Sequence, residues 1–225
     1  YRGLMVQIAD LLRRQDKADQ AAALCDQIAT KYAKTPEALA ARFLLGQCLH
    51  DQKKFDKAAE VLDQVARSPE YRSTGLPAEA MFAAAEVWFG DLANPDKAIP
   101  RYEEAAKLAK ECSSERMAKV QEQCYFRLAE YYYAQKKWSV ALENYQLLRA
   151  AGSQVNVLGR IIKCQNELNL DVGKDLTSTG DLAAVRKKIA DNPGTVLAAE
   201  GEVFLADREL SAATARGSRS CGAIA

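Results

Sequence analysis

Along the first 150 positions apolar residues recur three and four apart, the spacing of one helix face, and polar stretches interrupt them at regular intervals. Four segments share one pattern. In each, an alanine is followed four places on by a larger side chain and three further on by another apolar one: Ala21-Cys25-Ile28, Ala58-Leu62-Val65, Ala98-Tyr102-Ala105 and Ala141-Tyr145-Leu148. A second helix precedes each of these. It carries an apolar residue, a small residue and then an apolar or aromatic residue three later. The sets are Ile8-Ala9-Leu12, Leu45-Gly46-Leu49, Ala84-Ala85-Trp88 and Leu128-Ala129-Tyr132. The small residue belongs where two helices of a hairpin cross, because a large side chain there would push them apart. The alanines 21, 58, 98 and 141 lie 37, 40 and 43 residues apart, near the repeat length of helical-hairpin solenoids.

These residues resemble the tetratricopeptide repeat, whose first helix carries a bulky–Leu-Gly–Tyr spacing and whose second carries Ala, Phe and Ala. Phe55 and Trp138 stand in the aromatic place three residues before Ala58 and Ala141. Repeats two and four match best. Repeat three has one extra residue in its inner turn and Pro100 inside its second helix, where a missing amide proton should kink it. The resemblance covers roughly residues 3 to 150. It implies an all-α fold, a right-handed superhelical solenoid of antiparallel helix hairpins, with about 10–11 helices in all.

Helix punctuation agrees with that reading. Thr35-Pro36-Glu37 reads as an N-cap, a proline at the first helical position and an acid in the first turn. Asn94-Pro95-Asp96 and Asn192-Pro193 repeat the device, Ser114-Glu115 starts another helix, and Gly75 and Gly152 mark stops. Beyond residue 150 the repeat fades. Val155 to Leu170 reads as one amphipathic helix, 170–180 as a loop, Leu182 to Ala190 as a short helix and Thr195 to Leu210 as a longer one. The expected organisation is four hairpins over 3–150, a degenerate fifth hairpin plus closing helix over 153–210, and a flexible tail over 211–225.

Charge narrows the function. Lysine plus arginine total 31 and aspartate plus glutamate 30, so the net charge is +1. That balance gives no electrostatic case for nucleic acid or an anionic membrane. No apolar run reaches the roughly 18–20 residues of a membrane span. The chain opens at Tyr1 without an initiator methionine, which reads as a segment lacking its native N-terminus. None of the six cysteines forms a C-x-x-C pair, and His50 is the lone histidine, so no zinc site, metal or other cofactor is expected. Cys25, Cys48, Cys124 and Cys164 read as small hydrophobes inside helices, and Cys221 as a free thiol. Phosphate-loop, dinucleotide and nucleophile-elbow motifs are missing, so no enzyme activity is expected.

The family resemblance implies a groove lined by first helices. Its ligand-contacting places carry over to three rows: Val6, Phe43, Phe82 and Phe126; Asp10, Gln47, Glu86 and Glu130; Arg13, His50, Phe89 and Tyr133. Chaperone-binding members use lysine and asparagine in the first two rows to hold a C-terminal carboxylate. Here the same places are largely aromatic and acidic, and Glu86 and Glu130 would repel a carboxylate. An aromatic shelf edged with acids suits an apolar protein or peptide segment carrying lysine or arginine. The same phenylalanines could equally pack against the neighbouring repeat, and the sequence leaves that open.

Three functional readings follow: a non-catalytic protein–protein interaction scaffold, a self-assembling homo-oligomer joined through Val196 to Leu210, and a docking arm of a larger enzyme. The segment Lys31-Tyr32-Ala33-Lys34-Thr35-Pro36-Glu37-Ala38 followed by Leu44-Leu45-Gly46 loosely resembles bacterial cell-envelope tetratricopeptide proteins, which implies a bacterial origin. The compartment stays open between cytoplasm and periplasm.

Overall fold

The structure is a computed structural model that describes residues 1–112, 114–168, 182–191, 201–206 and 208–209. Every regular element among these residues is helical. The elements in order are α1 (Arg2–Arg14), α2 (Ala18–Lys31), α3 (Pro36–Asp51), α4 (Phe55–Ala66), a 3-10 helix (Pro69–Thr74), α5 (Leu76–Glu86), a π-turn (Val87–Asp91), α6 (Pro95–Lys110), α7 (Glu115–Ala134), α8 (Trp138–Ala150), α9 (Leu158–Glu167) and α10 (Leu182–Asp191). They fall into two compact units: residues 1–135 with 143–154, and residues 136–142 with 155–225.

Local chemistry accounts for the helix starts. Thr35 Oγ1 accepts from Ala38 N at 3.2 Å and Pro36 opens α3. Asn94 Oδ1 accepts from Lys97 N at 3.2 Å and Pro95 opens α6. Ser114 Oγ accepts from Met117 N at 3.3 Å at the head of α7. Each such cap satisfies an otherwise orphaned amide and is worth about 1 kcal/mol.

In the first unit each helix from α1 to α7 packs on the next in chain order, the arrangement of a solenoid of helix hairpins. Ala9, Ala85 and Ala129, and Ala21, Ala58, Ala98 and Ala141, are all fully buried. Gly46 is buried too. A Cβ built there would lie 2.7 Å from Leu62 Cγ and Cδ2, so glycine is what lets α3 lie this close to α4. The buried cysteines Cys25, Cys48, Cys124 and Cys164 fill gaps as small apolar groups.

Four inner turns share a backbone device. Asp16, Lys53, Ala93 and Lys136 have φ of 59°, 60°, 48° and 56°, in the left-handed region. Each stands five residues before the second-helix alanine. In hairpins one, two and four the left-handed residue follows the small residue by seven places; in hairpin three it follows by eight. The π-turn absorbs this extra residue. Gln15, Gln52 and Gln135 donate to carbonyls four residues back, at Leu11, Cys48 and Tyr131, whereas Leu92 N reaches five back to Val87 O at 3.0 Å. Pro100 sits inside α6, which runs on to Lys110.

Arginine–carboxylate ion pairs and one histidine–carboxylate hydrogen bond tie neighbouring hairpins together. Arg13 binds Asp51 (3.1 Å), Arg101 grips Asp63 through two nitrogens (2.8 and 2.5 Å), and Arg116 binds Glu79 (2.6 Å). Arg127 binds Glu86 and His50 binds Asp91. Each pair spans 37 to 41 residues, one repeat.

Three boundaries bear on the sequence reading. Gly75 does not stop an α-helix: α4 ends at Ala66, a 3-10 helix runs up to Thr74, and Gly75 (φ 74°) is the N-cap of α5. A Cβ at Gly75 would also meet Met117 Sδ at 2.7 Å. The amphipathic helix read over 155–170 starts at Leu158 and ends at Glu167, leaving Val155 exposed ahead of it. Gly152, φ 78°, does lie just past the end of α8. In the second unit α9 buries Ile161 and Cys164, and Val185 of α10 packs with Ile189, Phe204 and Leu205. The expected loop 170–180, the Asn192-Pro193 punctuation, the tail 211–225 with Cys221, and most of the expected helix 195–210 lie outside the described residues.

Candidate protein-binding cleft

First helices α1 and α3 pack on one another, as do α5 and α7. Helices α3 and α5 are less closely packed and meet through an apolar cluster that includes Leu39 and Ala80. Between them lies a cavity of about 410 Å³. Its walls include Phe43, Gln47 and His50 from α3 and Phe82 and Glu86 from α5, with Leu62 and Val120 among the apolar lining. Five of the nine residues that the sequence assigns to a groove in hairpins two to four therefore converge on one cleft. A second cavity, about 680 Å³, is lined by Val6, Asp10 and Arg13 of α1 with Phe43 and Gln47 of α3.

The other four lie elsewhere. Phe89, in the π-turn, packs edge-on against Tyr102 and Tyr131, each 6.2 Å away. Tyr133 meets Tyr145 at 6.3 Å. Phe126 is half-buried on α7, and Glu130 accepts a hydrogen bond from Tyr145. The phenylalanines are neither core nor free surface. Phe43 and Phe82 are half-buried, packing against the core and lining the cleft at once. Phe82 also tilts against Tyr102 at 5.9 Å.

The acids of the edge read from sequence have hydrogen-bond partners in the fold, and Glu86 has an ion-pair partner as well. Glu86 accepts from Tyr102 Oη at 2.5 Å and from Arg127 Nε and Nη2 at 2.9 and 2.8 Å. Burial first, then the neighbouring carboxylate, pushes the Tyr102 phenol well above its ordinary value. Glu130 likewise takes Tyr145 Oη at 2.5 Å. Asp10 is held by Arg14 (2.7 Å) and Arg13 (3.4 Å). Glu79, also in the cleft wall, is buried, and burial raises its carboxyl against the opposing pull of Arg116. His50 stands exposed at the cleft, its Nε2 3.0 Å from Asp91 Oδ2.

Arg116, Arg127, Glu79 and Asp91 were not picked out from the sequence. One signal was available. The residue after the small one (Glu86, Glu130) and the residue four after the alanine (Tyr102, Tyr145) are the places where an acid and a tyrosine recur together. Among the described residues no group of three or more His, Cys, Asp or Glu side chains could hold a metal. No described helix is long and apolar enough to cross a membrane.

Comparison with known proteins bears on the fold. The tetratricopeptide repeat family matches residues 6–72. No curated relative matches the sequence. Among solved structures, the nearly identical TPR-like repeats ascribed to a kinesin light chain of Podosopora anserina superpose with a TM-score of 0.52 at 16% identity. That match covers 85% of this chain and 96% of the other. A point variant of the same repeats gives 0.51 at 16% identity, over 85% and 95%. Small residues at the helix crossings, a repeat of about forty residues and helices packed in chain order are thus those of a tetratricopeptide-like helical-repeat fold, with the family model itself matched over residues 6–72.

Proposed function

We propose that this chain is a non-catalytic interaction scaffold that seats an apolar segment of a partner protein in the cleft between α3 and α5. Tetratricopeptide repeats serve in general as protein-interaction scaffolds, and the finer reading rests on one observation. Phe43, Gln47, His50, Phe82 and Glu86, taken from sequence places that the family uses for ligands, line a single cavity of about 410 Å³. That volume suits one or two bulky apolar side chains, with Gln47 and His50 able to fix a backbone or side-chain polar group.

The matched carboxylates change the expected partner chemistry. Arg127 and Arg116 already neutralise Glu86 and Glu79. A basic residue in the partner must compete with them, so apolar contact carries most of the affinity and charge adds little.

A pull-down with the full chain, repeated with Phe82→Ala and with Phe43→Ala, tests this. Because both rings are half-buried, each truncation should cost about 1.5–2.5 kcal/mol of stability, roughly half of a fully buried phenylalanine. The retained partner should be lost, or weakened roughly tenfold or more, at concentrations where the variants stay folded. A partner held equally well by both variants would rule the cleft out. A melting collapse for Phe43→Ala, Phe82→Ala and Phe126→Ala alike would place the rings in the core.

A further inference from the structure

Two of the buried cysteines meet. Cys25 on α2 and Cys48 on α3 are each 0% exposed, lie in one apolar cluster with Ala21, Ile28, Ala41 and Leu44, and share a side-chain hydrogen bond. They stand 23 residues apart, in two consecutive hairpins. The same two places recur along the solenoid, four after the second-helix alanine and two after the next small residue. They hold Leu62 and Val87, then Tyr102 and Tyr131. Both later pairs belong to a single core cluster. Larger side chains fill these places in the later copies, so packing alone does not account for a thiol at both places here.

The two thiols are not equivalent. The Cys25 S–H donates to the Cys48 sulfur and draws the Cys48 thiol below its ordinary value; burial opposes this and the Arg13 guanidinium assists it. The same hydrogen bond, then burial, pushes Cys25 up. Cys124, by contrast, is pushed up by burial and by Glu86. Arg13 reaches Asp51 and Asp10 through its terminal nitrogens, and its Nε is buried with no partner among the described residues. A guanidinium near a thiol favours the thiolate, which is the reactive form. We propose that Cys25 and Cys48 form an oxidisable dithiol, with Cys48 the nucleophile and Cys25 the resolving thiol, whose substrate is a hydroperoxide and whose product is a disulfide clasping α2 to α3. The Cys48 thiolate attacks one peroxide oxygen, the O–O bond breaks, and the departing hydroxide takes up the proton that Cys48 released and leaves as water. Cys48 is then a sulfenic acid, oxidised by two electrons. Cys25 attacks that sulfur, the S–O bond breaks, the S–S bond forms, and the hydroxide leaves with the Cys25 proton as a second water. Two thiols and one hydrogen peroxide thus give one disulfide and two waters. Because both thiols are buried, oxidation waits on local opening of the α2–α3 contact and is slower than at the less buried Cys112.

Peptide mapping of the full chain tests this. The chain is treated with hydrogen peroxide in native buffer, alkylated in denaturant and digested. A cross-linked Cys25–Cys48 peptide, two hydrogens lighter than its reduced parts, should accumulate, and dithiothreitol should reverse it. Cys25→Ala should leave Cys48 as the sulfenic acid, captured by the 1,3-diketone dimedone roughly tenfold more than Cys25 is in Cys48→Ala. Free Cys25 and Cys48 after Cys112 has been fully oxidised overturn the proposal, as does a bond that forms only in urea. Stronger capture at Cys25 overturns the assignment of Cys48 as nucleophile. The mapping uses the unaltered chain, so it decides the matter even where an alanine variant fails to fold.

Discussion

Hairpins two and three solve the same packing problem with one residue's difference. In hairpin two, Gly46 and Ala58 are twelve apart and α3 runs straight into its turn. In hairpin three, Ala85 and Ala98 are thirteen apart, and the added residue is pushed into a π-turn at the end of α5. The left-handed residue and everything after it are unchanged: Lys53 and Ala93 each precede their alanine by five. The fold thus holds the second helix in register and lets the first helix swell. The reason lies in what each carries. The second helix presents Ala58, Leu62 and Val65, or Ala98, Tyr102 and Ala105, all buried. Rotating it by one residue, about 100°, would carry that row off the core. The end of the first helix takes up the extra residue around Gly90, where a Cβ would meet nothing within 4 Å, while Val87 and Trp88 stay buried.

This contrast can be broken most sharply by deletion. Removing Gln52 from the turn of hairpin two should force α4 out of register and cost about 3 kcal/mol or more, as several buried side chains lose their sites at once. Removing Gly90 should turn the π-turn into ordinary helix, restore the twelve-residue spacing, and cost under about 1.5 kcal/mol. Denaturant melts of the two deletions would show the difference, and equal losses would refute the idea that the second helix sets the register. A smaller effect is expected at the crossing itself. Gly46→Ala places a methyl 2.7 Å from Leu62 and should cost about 1–3 kcal/mol, since Leu62 is fully buried and has no room to turn aside. The smallest change sharpens the comparison from the other side. Tyr102→Phe removes the hydroxyl that hairpin three directs at Glu86, for about 1 kcal/mol, because Arg127 still satisfies the carboxylate. Leu62→Met in hairpin two, which has no such bond to lose, should fall below that by thermal melting.

How much of this was legible from sequence depends on the range of the interaction. The alanines and Gly46 could be read because close approach of two helices admits only small side chains, a rule that leaves a mark at fixed spacing. The caps at Thr35, Asn94 and Ser114 could be read because they are local. The extra residue of hairpin three was visible as a count, but its fate as a π-turn depends on whether α6 or α5 yields, and that is decided by burial. The 3-10 helix 69–74 was missed because its six residues show no apolar period. For the site, the sequence put Phe43, Gln47, His50, Phe82 and Glu86 on one face, and they share a cleft. It described Glu86 and Glu130 as an open acidic edge because their partners are remote: Arg127 is 41 residues from Glu86, and Tyr145 is 15 from Glu130.

The pairs described above carry a consequence for how damage spreads. Arg13–Asp51, Asp63–Arg101, Glu79–Arg116, Glu86–Arg127 and His50–Asp91 each link a hairpin to the next one along, and none skips over a neighbour. Stability in this unit is then a sum of links in series, like a zipper and unlike a keystone arch. A lesion in the first hairpin weakens its bond to the second and leaves the third and fourth nearly as they were. Hydrogen exchange in such a chain runs inwards from its loosest end, one hairpin at a time, and high salt hastens it by loosening the four arginine–carboxylate clasps.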